Sequence, residues 1–204
     1  MQQRDERISE AQWEQFLRDN SDGNYEFWSG HVYGMATGGY LHSRLMGRLG
    51  GLLEFGLEDK PCSPTGSEFY VKIESTGDWL IPDNAIHCED ARWGGEPRRF
   101  LLNPVVVFEV LSPSTELKDR GAKFELYSSI PSLQEYLLIS ATRVGIEQFT
   151  RQHDDSWLLR RHTSLGSIVE LPSVDFRLSL AELYRGLDIP VQLTLVPPTP
   201  ETII

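Results

Sequence analysis

Cysteine is nearly absent: only Cys62 and Cys88 occur in 204 residues, with no CxxC and no His pair at metal-ligating spacing. Neither a disulfide framework nor a zinc centre is expected, and both thiols read as inert. Long apolar runs are missing too. The first ten residues, MQQRDERISE, lack the hydrophobic stretch of a signal peptide. Nothing later approaches the roughly 20 apolar residues of a membrane span. The expected setting is the cytoplasm, with no membrane partner. Basic residues are outnumbered, 19 Lys plus Arg against 30 Asp plus Glu, for a formal charge of −11. That excludes a surface attracting nucleic acid all over, because phosphate binding relies on Lys and Arg, but leaves room for a local basic groove. The signatures GxSxG, GxxxxGKS/T, GxGxxG and HExxH are absent, so the most familiar hydrolase, nucleotide and zinc readings lose support.

What is present has the balance of a globular chain, 40% hydrophobic and 24% charged. A domain of this length removes about 70% of its unfolded surface from water and needs no metal or disulfide staple. We read residues 1–190 as one domain and 191–204, with Pro197, Pro198 and Pro200, as a loose tail. Ser9 and Gln12 form a capping-box pattern ahead of Trp13, Phe16 and Leu17, predicting a helix over 9–19. Aromatic and β-branched residues flank Ser29-Gly30, a hairpin signal. Leu45, Met46, Leu49, Leu52, Leu53 and Leu57 give the longest amphipathic segment, 42–57. Gly47, Gly50 and Gly51 within it either permit close packing or shorten the helix.

Strands are expected at 68–73, 79–87 and 105–111, then a helix from the N-cap Ser114 to about Ser129 with Leu117, Phe124 and Tyr127 on one face, then a strand at 135–139. Strand, helix, strand is a crossover unit, which makes 105–111 and 135–139 neighbours in one sheet. Further strands at 144–150, 156–161 and 167–171 and a short helix at 179–184 complete the expectation. The fold class is α/β or α+β, a mixed sheet with helices packed on it.

Chemistry is suggested by acids in apolar surroundings. Asp83 lies in Ile81-Pro82-Asp83-Asn84-Ala85-Ile86, and Glu109 interrupts Val105 to Leu111. A buried, unpaired carboxylate costs several kcal/mol or has its pKa forced upward. Two in one sheet suggest a shared hard cation, Mg²⁺ or Mn²⁺, held with water and substrate phosphates. Pairing of each acid with an Arg, or capping of a turn, is the plainer alternative.

Pro82-Asp83, Glu109-Val110-Leu111-Ser112-Pro113-Ser114-Thr115, Asp119, Lys123, Tyr127 and Glu135-Tyr136 together resemble the Uma-type family of restriction-endonuclease-like proteins, within the PD-(D/E)xK nuclease superfamily. Tyr25-Glu26, Gly30, Met35 and His42 also fall where that family places such residues, and the resemblance spans about 9–187. It implies a restriction-endonuclease-like mixed sheet flanked by helices. It implies Asp83 and Glu109 as ligands of one or two Mg²⁺ (or Mn²⁺) ions, completed by the backbone carbonyl of Val110. The superfamily's usual lysine, two residues after the second acid, is here Leu111; the resemblance implies that a lysine on the following helix takes that role, Lys123 by position, with Lys118 as competitor. Asp119, four residues before Lys123, can pair with it. The implied activity is Mg²⁺-dependent endonucleolytic hydrolysis of DNA by a homodimer. A module that keeps the nuclease fold without activity, as Leu111 and the acidic charge allow, is the alternative. His42 is a candidate proton or substrate contact, or a helix-start packing residue. Glu26 is a candidate extra acid, or an ordinary hairpin residue. Arg92, Arg98 and Arg99, in a Gly-Pro-rich loop, and Arg44 and Arg48, one turn apart, are candidate phosphate contacts or solvated side chains.

Overall fold

The computed structural model describes residues 7–35, 38–95, 99–112 and 116–189. Arg98, Ser114 as a helix cap and the tail 191–204 lie outside the described residues.

Local signals produce the first elements. Ser9 and Gln12 cap each other's backbone reciprocally and start α1 (Glu10–Asp19), whose buried face carries Trp13 and Leu17. β1 (Tyr25–Trp28) and β2 (His31–Gly34) form the expected hairpin. Ser29 (φ 54°) and Gly30 (φ 81°) make a turn with two positive φ angles, whose twist suits paired strands. The glycines do not shorten α2 (Tyr40–Leu57), which runs unbroken over 18 residues and buries Leu45, Leu49, Leu53 and Leu57.

The middle of the chain supplies β3 (Cys62–Thr65), β4 (Tyr70–Ile73), β5 (Asp78–Leu80), β6 (Asn84–Cys88), β7 (Trp93–Gly94), β8 (Phe100–Leu101) and β9 (Val106–Leu111). After it come α3 (Glu116–Arg120), α4 (Ala122–Ser128), β10 (Glu135–Ser140), β11 (Ile146–Arg151), β12 (Trp157–His162), β13 (Ile168–Leu171), β14 (Phe176–Ser179) and α5 (Leu180–Leu183). One six-stranded sheet has the order β2-β1-β5-β4-β8-β7, a second β12-β11-β10-β9-β6-β3, and β13-β14 is a separate ribbon. β9 and β10 are parallel, Glu109 opposite Leu138, so the crossover unit forms as expected. The fold is mixed α+β, with two mixed sheets where one was expected.

Three further expectations are corrected. The stretch 79–87 is two strands in different sheets, because Pro82 has no N–H for a ladder and the chain turns at Ile81-Pro82-Asp83. The helix expected to run to about Ser129 is two, broken at Gly121; the break changes the buried face and leaves Leu117 89% exposed. Cys62 and Cys88 are direct partners on β3 and β6 and form a disulfide. Their separation of 26 residues gave no sign that the strands adjoin.

Apolar side chains close three cores. α2, α5 and the β13-β14 ribbon cover one face of the second sheet. Tyr127, Ile130 and Leu133, with Val71, Ile73 and Leu80 from the first sheet, cover its other face. α1 caps the first sheet through Trp13, stacked on Phe27 at 5.4 Å and edge-on to Tyr70 and Trp79. Trp13 has no solvent exposure. Trp13→Ala is expected to cost about 3–5 kcal/mol. Urea unfolding should then show a lower midpoint at unchanged slope; a shift under 1 kcal/mol would remove α1 from the stability of the first sheet.

Candidate active site

β9 is buried along its whole length, and its alternation decides where Glu109 goes. Val106, Phe108 and Val110 face α2, while Val107 and Leu111 face α4. Glu109 shares the α4 face, where α4 brings Lys123. The Lys123 ammonium is 2.8 Å from Glu26 Oε1, 3.1 Å from Glu109 Oε1 and 3.6 Å from Asp119 Oδ1. All four residues are 5% exposed or less. Tyr127 donates its hydroxyl to Glu109 at 3.3 Å, and Tyr136 donates to the backbone carbonyl of Asp119 at 2.9 Å. Glu26 reaches the cluster from the hairpin and also accepts the Ile81 N–H at 3.1 Å.

Asp83 stands at the corner between the sheets. Its Oδ2 accepts the Val110 N–H at 2.6 Å and lies 3.3 Å from His42 Nε2 at the first turn of α2. The two halves of the site sense each other, since Asp83 acts electrostatically on Glu109 and Asp119 on His42.

These contacts set the proton affinities. Burial pushes the Glu109 carboxyl well above the usual range; Lys123 opposes the shift, and Asp83, Asp119 and Glu26 add to it. Burial pulls the Lys123 ammonium down, but Glu109, Glu26 and Asp119 outweigh it and it holds its proton more tightly than a free lysine. The hydrogen bond to Asp83 raises His42 above its ordinary value, against the effect of burial; the charges of Asp83 and Asp119 and the Val110 backbone also raise it. Tyr127 and Tyr136 are raised by burial and by the same carboxylates, so both phenols stay protonated donors.

The structure thus brings Asp83, Glu109, Lys123, His42 and Glu26 to one place, with the Val110 backbone. The apolar setting flagged the two acids, but only the fold shows that Glu26 and Asp119 share Lys123. Lys118 is exposed and sits over the Tyr33 ring, 5.0 Å from its centroid. The arginines do not gather here. Arg92 pairs with Glu74 at 2.6 Å beside a different hollow, and Arg99 lies by Tyr70, whose hydroxyl is pushed up to about 12 chiefly by burial. Arg48 donates to the Glu182 carbonyl at 3.2 Å and Arg44 is exposed; neither lines the cavity at Asp83.

Among the described residues, no three His, Cys, Asp or Glu side chains are set to hold a metal by themselves. The donors fit an open site instead. Four carboxylates face one ammonium and one imidazole, so even with His42 protonated a formal excess of two negative charges remains. Mg²⁺ is commonly held by one or two carboxylates, with water and substrate phosphates completing its shell.

Over residues 11–181 the sequence matches the Uma2 family, described as "Putative restriction endonuclease". The chain belongs to the Uma2 family. Among its relatives is "Uncharacterized protein slr1290" of Synechocystis sp., 34% identical over 176 residues, 86% of this chain and 89% of that one. A second Synechocystis protein, "Uncharacterized protein sll1609", is 31% identical over 134 residues, 66% of this chain and 76% of that one. In fold, the Uma2 chain is similar to a crystal structure from Anabaena variabilis described as "a putative nuclease belonging to DUF820". The TM-score is 0.67 at 15% identity, covering 84% of this chain and 96% of that one. Family and fold agree with the nuclease-like reading of the sequence.

Two outcomes follow from the charge arrangement. Lys123→Met leaves buried carboxylates without their cation and should lower stability by about 3–5 kcal/mol in chemical denaturation, with partial recovery in Lys123→Met/Glu109→Gln. His42, raised above 6.5, contributes stability that is full below about 6.5 and lost as pH rises through its folded-state value. Its NMR titration in EDTA should lie above 6.5 and fall in Asp83→Asn; an unchanged midpoint would dissolve the pair.

Proposed function

We propose that the chain is a Mg²⁺- or Mn²⁺-dependent endonuclease hydrolysing phosphodiester bonds of DNA, acting as a homodimer. The observation that carries this reading is the buried Lys123–Glu109 pair beside Asp83, with an excess of negative charge that suits one divalent ion. Membership of the Uma2 family supports the same activity.

Asp83 and Glu109, with the Val110 carbonyl, would hold the metal. A divalent cation there supplies Lewis acidity toward a phosphate oxygen and lowers the pKa of water. The chain's own groups do the rest. Lys123 keeps its proton, so it acts as a positive hydrogen-bond donor to charge developing on the phosphate, not as a base. Glu26 and Asp119 fix the lysine's position, and Tyr127 orients the Glu109 carboxyl. His42 holds the Asp83 carboxylate from the cavity side and can donate a proton near neutral pH. Leu111 fills the place of the superfamily's usual lysine, and Lys123 reaches the second acid from α4 instead.

The test is incubation of the protein with plasmid, linear and single-stranded DNA and with RNA, in Mg²⁺ or Mn²⁺. Asp83→Ala and Glu109→Ala should each lower the cutting rate by at least about 10²-fold. Equal cutting by wild type and variants would assign the activity to a contaminant and return the chain to a non-catalytic binding module.

A further inference from the structure

A cavity of about 570 Å³ opens beside Asp83, lined on one side by α2 and on the other by the start of β6. On β6, Ile86 points toward α2 and Ala85 away from it, so alternation sends Asn84 toward α2 as well. Asn84 is 4% exposed and lines the cavity, and its carboxamide makes no hydrogen bond to any described residue. It is not sealed in the interior as the indole N–H groups of Trp13, Trp28 and Trp79 are, so its donor and acceptor atoms meet the cavity and are available to whatever enters it. Opposite Asn84, α2 presents glycine. A Cβ on Gly50 would stand 3.9 Å from Asn84 Oδ1, and one on Gly47 would meet nothing within 4 Å. Each glycine weakens the helix interior relative to alanine. Both keep the space before the carboxamide open. Met35 and Met46 add soft apolar surface to the lining, and among the described lining residues none is Lys or Arg.

We propose that this cavity receives an unpaired nucleobase of a single-stranded DNA substrate, with the Asn84 carboxamide reading the base's hydrogen-bonding edge. The inference rests on the nuclease reading and names the form of its substrate. A carboxamide carries an acceptor and two donors in one plane, the complement of a base edge. Thioethers make favourable contacts with aromatic rings, and a glycine floor lets a flat ring approach the helix backbone. Beyond the carboxylate end at Asp83, a phosphate would find no Lys or Arg in the lining. A paired base cannot enter without leaving its stack, which favours single strands over duplex.

The test measures binding by fluorescence anisotropy, in EDTA and with Ca²⁺ in place of Mg²⁺. The probes are a labelled single-stranded oligonucleotide, an abasic strand of the same length and the duplex. Wild type should prefer the base-bearing strand over the abasic one by about tenfold, and over the duplex. Asn84→Leu and Gly47→Leu should each bring the first ratio near one. Gly47→Leu replaces glycine by a strong helix former, so lost preference together with an unchanged or higher Tm cannot be misfolding. No preference in wild type, a preference surviving both substitutions, or no binding of the base-bearing strand would overturn the proposal. Its fate is separable from that of the nuclease reading. Base-dependent binding without Asp83-dependent cutting keeps the pocket and drops hydrolysis; cutting without base preference does the reverse.

Discussion

An ammonium in the protein interior, Lys123, is shared by three carboxylates from three different parts of the chain. Removing such a group from water costs several kcal/mol, and only close opposite charges with hydrogen bonds repay it. Each partner is therefore constrained. The hairpin must deliver Glu26, β9 must turn Glu109 toward α4, and α3 must hold Asp119 one turn before the lysine. A one-residue slip of β9 would send Glu109 to the α2 face, away from Lys123. The register of the central strand and the docking of the hairpin are thus tied to a single positive charge.

Electrostatics also orders events at the surface. With a formal charge of −11, the chain repels a polyanion until something reverses the local field. A divalent ion at two carboxylates is often the largest local charge in such a site and can do this over a short range. The amide, hydroxyl and thioether groups lining the cavity beside Asp83 offer a phosphate no Lys or Arg.

Much of this was legible in the sequence wherever neighbours along the chain decide the structure. The Ser9-Gln12 box, the Ser29-Gly30 turn, the period of α2 and the apolar run around Glu109 all carry their own cause. What could not be read depends on remote neighbours: that Pro82 marks a change of sheet, that Cys62 lies opposite Cys88, that Gly121 resets a helix face. The site divides the same way. Asp83 and Glu109 announce themselves as polar residues in apolar stretches, and Lys123 through resemblance to the family. Asn84 carries the same signal as Asp83, being polar within Ile81 to Ile86, but only the bare face of α2 opposite gives it meaning.

The corner at residues 81–83 is fastened at both ends. The amide of Ile81 is bonded to Glu26 of the first sheet, and Asp83 takes the amide of Val110 in the second. The two sheets therefore cannot slide past one another without changing the distances among the site's carboxylates. Carboxylate spacing is what selects a small, strictly octahedral ion over a larger, more tolerant one. Under the proposed activity, ion preference would accordingly be a property of how two sheets are seated, tunable by residues along the seam between those sheets and away from Asp83 and Glu109.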